Sequence, residues 1–257
     1  MFNSKACRWW NVLFFFVLMA VTIMADMAEA FPLGGAKAGE LSNRYFSRLT
    51  PEGYAFIIWN IVYLLIGCAI VYLWRQKKHD SRWMRTFTVR FGLSCLFHIS
   101  WLLLWRYEYL PLSFGALLLL LLSLFLLHRH TRSALRPDLG EIWFVRLPFS
   151  LYLGWVLTAT LIHLQILMQH AVSSRLLPGL PADVPAAGLL IVGAAVVFLL
   201  VSRTRDAVLP LPMAWGFAAI ADKHSDERLL FVTAGLAAAL LFLLSASLLF
   251  IRARERD

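Results

Sequence analysis

The chain has 257 residues, 60% of them hydrophobic and only 15% charged, where ordinary globular domains hold about 45–50% apolar and about 25% charged residues. A soluble fold of this length has no way to bury so much apolar surface, and the apolar runs lack the period-2 alternation of a membrane barrel, so the expected class is all-α integral membrane. The net charge of +9 lies mostly between the apolar runs, which makes nucleic acid an unneeded partner and points to the bilayer, with its anionic headgroups, as the first one.

About eight transmembrane helices are expected, over Trp9–Ala25, Tyr54–Trp74, Phe91–Trp105, Leu110–Leu127, Ile142–Met168, Ala186–Val201, Ala207–Ala221 and Leu229–Ile251. Lys5 and Arg8 ahead of the first run, with Ala28-Glu29-Ala30 after it, fit a cleaved signal peptide as well as a signal anchor. The anchor is the reading adopted. The connector Glu29–Gly53 is long and polar, and reads either as a lid or as a plain exposed link. The seventh run is short and carries Pro210 and Pro212, so a kinked or partly re-entrant segment is expected there. The last three runs are rich in Ala and Gly, which suits close helix approach within the chain or across a homodimer. Residues 1–170 are read as one five-helix unit and 171–257 as an appended three-helix module.

With eight alternating spans and the N-terminus inside, 16 of the 24 Lys and Arg residues fall on inner segments and 7 on outer ones, with Arg146 at the inner end of the fifth span. The positive-inside rule then places both termini in the cytoplasm. The expected location is a bacterial inner (plasma) membrane, crossed many times.

Charged side chains are nearly missing from the midspans, which argues against an ion-coupled transporter. No nucleophile–base pair, paired carboxylates or phosphate-binding glycine loop is present, so no catalytic set is expected. The three cysteines, Cys7, Cys68 and Cys95, show no disulfide or metal spacing. The polar midspan residues are neutral: Asn60, His98, Ser100, Thr158, Thr160 and His163. In hydrocarbon each needs a partner, so they are expected to face the bundle interior, either bonding helix to helix or lining a pocket. A haem-type metal ligated by His98 or His163 is a lesser alternative.

The chain holds 10 Trp and 7 Tyr, more than an interfacial belt requires. Trp9, Trp10, Trp74, Trp83, Trp105 and Trp143 are placed for such a belt. Trp59 with Tyr63, and Trp155 with Ala159, are spaced i, i+4 and share helix faces. Aromatic walls beside a small residue form a slot for a flat apolar guest. The candidate ligand-binding set is Tyr54, Trp59, Asn60, Tyr63, His98, Trp101, Tyr152, Trp155, Ala159 and His163.

At these residues the chain resembles the TspO/MBR family, the translocator proteins and tryptophan-rich sensory proteins. The family's Y-L-x-W-V-x-x-A-T-x-x-N pattern reads here as Tyr152, Leu153, Trp155, Val156, Ala159 and Thr160, with His163 in the asparagine place. Its P-x-G-[WY]-x-F and W-x3-Y-x3-G elements read as Pro51, Gly53, Tyr54, Phe56, Trp59, Tyr63 and Gly67. This chain is one residue shorter between Phe56 and Trp59, lacks the proline pair there, and has His98 and Trp101 where the family has an asparagine followed by tryptophan. The resemblance runs over residues 9–168. It implies a five-helix bundle with a pocket, a tetrapyrrole such as a porphyrin or a haem-type molecule, or another flat hydrophobic ligand, as guest, and a sensing or regulatory role. Trp59 and Trp155 match the tryptophans linked to porphyrin binding, and Ala159 a small residue on the pocket wall. Rival readings are a transporter or permease subunit for a small hydrophobic molecule, an enzyme that degrades porphyrin in light, and a structural subunit.

Overall fold

A computed structural model describes residues 4–27, 44, 45, 47–76, 79–133, 137–169, 181 and 183–254. The cleavage motif Ala28-Glu29-Ala30 and most of the connector that follows it lie outside them. Among the described residues there is no strand. The long helices are α1 (Ser4–Asp26), α2 (Ile57–Arg75), α3 (Ser81–Arg106), α4 (Leu110–Thr131), α5 (Leu147–Leu167), α6 (Asp183–Thr204), α7 (Pro210–Lys223) and α8 (Arg228–Arg254). Seven of the eight, with their lead-in turns, are long and apolar enough to cross a membrane, and α7 is the one that is not. Its 14 residues rise about 21 Å, short of a hydrocarbon core of about 30 Å.

Several boundaries depart from the sequence expectation for physical reasons. Helix α3 begins ten residues before the apolar run. Asp80 caps it, its carboxylate accepting the Trp83 N–H at 2.6 Å. Met84, Phe87, Thr88 and Phe91 then form a buried i, i+3, i+4, i+7 stripe while Arg82 and Arg85 stay exposed. A hydropathy window averages those two faces and misses the helix. Helix α5 is entered through a single turn at Leu139–Glu141 and a π-helical stretch at Ile142–Arg146. Pro148, which has no N–H to give to the preceding turn, sits just after this wider turn. In α7 Pro210 and Pro212 lie in the first turn, where missing N–H groups cost nothing, so they start the helix rather than kink it.

The helices fall into two compact units. The first comprises Met1–Leu41 and Trp59–Leu153. Its core joins Phe87 and Phe91 of α3 edge-on to Phe149 of α5, at ring separations of 5.6 and 6.2 Å. Leu117, Leu120, Leu124 and Leu127 of α4 are fully buried. Helix α1 lies close against α3 because Gly92 presents no side chain to Phe14, whose ring a Cβ there would meet at 2.7 Å, and the Phe15 ring reaches across to Gly67 of α2. The buried Arg106 at the end of α3 donates to the Ala25 carbonyl of α1.

The second unit comprises Ser42–Ile58 and Gly154–Asp257. Helix α7 is its centre, with Met213, Phe217, Ala219 and Ile220 almost wholly buried. It packs on α8, whose Ala234, Ala237, Ala238 and Leu241 are buried, small residues in the main, of the kind that allow close approach. Arg48 binds Asp183 at the start of α6 (3.1 Å) and Glu227 just before α8 (2.5 Å), gathering three chain segments at one end. In both units side chains such as Leu64 (68% exposed) and Phe250 (72%) stand outward, as they do on a lipid-facing surface.

Candidate functional site

The i, i+4 spacing of Trp59 and Tyr63 on α2 stacks their rings 5.6 Å apart. Helix α3 sets His98 and Trp101 against Trp59 at 5.1 and 5.8 Å, and Tyr152 of α5 closes the group at 6.2 Å. Inside this aromatic cage His98 is fully buried. Its Nε2 lies 3.0 Å from the Tyr63 hydroxyl and its Nδ1 2.6 Å from the Tyr152 hydroxyl. A neutral imidazole satisfies both contacts: its bare nitrogen accepts from one tyrosine O–H and its N–H donates to the other tyrosine oxygen. Each nitrogen therefore has a partner, and the ring serves as a cross-brace among α2, α3 and α5. This geometry leaves His98 no lone pair for a metal.

A further donor of the cage takes no part in this brace. The Trp101 indole N–H is buried and has no hydrogen-bond partner among the described residues, a state worth about 1–3 kcal/mol to relieve. Tyr63 also reaches outward, to a cavity of about 710 Å³ between α1 and α2. Asn60, Leu64, Val71, Tyr72 and Phe15 line it with Tyr63. Asn60 is a correction to the sequence reading: it is exposed, facing this cavity rather than the bundle interior. Adjacent helical residues point about 100° apart, so turning Trp59 inward turns Asn60 away.

The remaining candidates belong to the second unit. The half-exposed Tyr54 meets Trp215 edge-on at 5.4 Å, and the Trp215 N–H donates to the Ala55 carbonyl at 3.1 Å. Trp155 is buried, edge-on to Phe56 at 6.3 Å and beside Gly216. His163 is buried two turns further along α5, and Ala159 between them is half-buried. Thr158 and Thr160 donate to the carbonyls of Gly154 and Val156 four residues back, and Ser100 to that of Leu96, so their hydroxyls stay on their own helices. Sequence reasoning quoted Phe56 in the motif but left it out of the candidate set, and passed over Trp215 and Gly216. The signal was present in Trp215-Gly216 following two prolines, a bulky aromatic and a small residue side by side on a short helix.

No curated protein and no solved structure matches the chain. The family model for TSPO-like proteins does, over residues 8–247. That match reaches past the stretch 9–168 that carries the motif resemblance and takes in α6 and α7 and most of α8. Matched over nearly its whole length and built of apolar helices, this multi-pass membrane chain belongs to the TSPO-like family.

Proposed function

We propose that the chain binds a flat apolar ligand, of tetrapyrrole type, at the aromatic cage and cavity of its first unit, and that it senses or regulates rather than catalyses. The observation that carries this reading is the continuity from cage to cavity. Tyr63 belongs to both, stacked under Trp59 and braced by His98 on one side, and lining a space of about 710 Å³ on the other. That volume is within the range of small-molecule sites, about 300–1,000 Å³. The walls are mostly apolar and aromatic; Asn60, Arg75 and the tyrosines Tyr63 and Tyr72 are the polar side chains on the lining that fix orientation, and the Trp101 N–H lies in the adjoining cage. A cage braced this tightly is preorganised, which lowers the ordering cost of binding.

The test is quenching of tryptophan fluorescence by protoporphyrin IX, in the dark, on the detergent-purified protein. Leu64 and Val71 line the cavity and are exposed, so Leu64→Phe with Val71→Phe fills it without touching the cage. Saturable quenching in the wild type that the filled variant loses supports the proposal. Equal quenching in both removes the site from this cavity. Ligand-dependent flux in vesicles with no saturable binding favours a transporter instead. The companion expectations, a bacterial inner-membrane location with both termini cytoplasmic, rest on the distribution of basic residues.

A further inference from the structure

A second cavity, of about 640 Å³, runs along the outer side of the first unit between α1 and α3. It shares no lining residue with the first. Its floor exists because Gly92 lets the Phe14 ring lie against the α3 backbone. One wall is the exposed stripe Val89, Leu93 and Leu96, spaced i, i+4, i+7. The groove is polar at one end alone. There Arg85 lines it, beside the half-exposed Trp10, where both helices begin.

We propose that this groove holds one acyl chain of an anionic glycerophospholipid, with the headgroup phosphate on Arg85. Two observations choose that occupant. The first is length. From Arg85 to Ile99 the groove follows fourteen residues of α3, a rise of about 21 Å. That is the depth of one leaflet including its interfacial layer, half of about 40–45 Å. The second is charge. Among the described residues the headgroup end carries a single lining cation and no lining carboxylate, and Lys5 and Arg82 stand exposed in the first turns of the same two helices. A guanidinium at headgroup level beside an interfacial tryptophan selects an anionic over a zwitterionic lipid. The apolar stripe below it accepts a chain but gives no such selection.

Native mass spectrometry of the full-length protein, released from nanodiscs of equal phosphatidylglycerol and phosphatidylcholine, tests this directly. The wild type is expected to retain one phosphatidylglycerol in preference to phosphatidylcholine by about fivefold, the effect of one basic side chain at a membrane surface. Arg85→Gln should abolish the preference. Leu93→Trp, which fills the groove and leaves the charge, should reduce retention of both lipids. Arg129→Gln removes an exposed charge at the end of α4, away from the groove, and should leave the preference intact. No preference in the wild type, a preference that survives Arg85→Gln, or an equal loss in Arg129→Gln overturns the proposal. So does displacement of the lipid by millimolar inorganic phosphate, which would mean an anion site without a chain. Each variant is read at wild-type helix content by circular dichroism, and Leu93→Trp supplies an independent arm if Arg85→Gln does not fold.

Discussion

At the scale of single residues, the cage is a hydrogen-bond problem solved in hydrocarbon. Tyr63, His98 and Tyr152 sit 35 and 54 residues from their partners in sequence, and lipid offers no substitute for a lost one. Tyr152→Phe leaves one His98 nitrogen unpaired and is expected to cost about 1–3 kcal/mol. His98→Ala strands both hydroxyls and opens a void, so its cost should be larger than that of Tyr152→Phe. Thermal unfolding in detergent measures both; a His98→Ala protein as stable as the wild type would show that the brace carries no stability. The sequence made part of this visible. The Trp59–Tyr63 pair is local, and helical periodicity alone predicts the stack that is seen. The pairing of His98 with tyrosines on two other helices depends on tertiary packing, and no spacing encodes it. Asn60 was misplaced by the general rule that polar midspan groups turn inward, because that rule does not know of an open cavity beside its helix.

At the scale of elements, close approach is set by a few glycines, and the structure separates those that matter from those that do not. A Cβ on Gly216 of α7 would meet the Thr158 methyl at 2.7 Å and the Trp155 ring at 3.3 Å, both on α5. Gly235 of α8 has nothing within 4 Å. Gly216→Val should therefore destabilise the second unit by about 1–3 kcal/mol through overpacking. Gly235→Ala should be neutral or mildly stabilising, by up to about 1 kcal/mol of helix propensity. Denaturation midpoints of the two variants, measured side by side, check the contrast, and similar midpoints would contradict it. The long helices were legible as apolar runs. The first half of α3 was not, because its arginines and its buried stripe occupy opposite faces of one helix and cancel in any average. Helix α7 was legible as a segment, but its prolines suggested a bend where they in fact begin a helix.

At the scale of the whole molecule, two compact units and a family match from residue 8 to 247 frame what the chain does. The ten residues singled out by sequence divide between the two units. Trp59, Tyr63, His98, Trp101 and Tyr152 form the cage, and Asn60 lines the cavity that Tyr63 also lines. Tyr54, Trp155, Ala159 and His163 belong to the other unit. The family-like segment of α5 spans the boundary, with Tyr152 on one side and the Trp155–Ala159 pair on the other. This division turns the binding proposal into a sharp comparison. The measurement that tests it most directly is a protoporphyrin IX titration of the wild type, Trp59→Ala and Trp155→Ala, followed by tryptophan quenching and by the porphyrin's own absorbance. Binding in the first-unit cage predicts that Trp59→Ala weakens affinity at least about tenfold, the loss of about 1.4 kcal/mol of ring contact, while Trp155→Ala stays near the wild type. Wild-type affinity in Trp59→Ala, or a larger loss in Trp155→Ala, would contradict the account and move the site to the second unit.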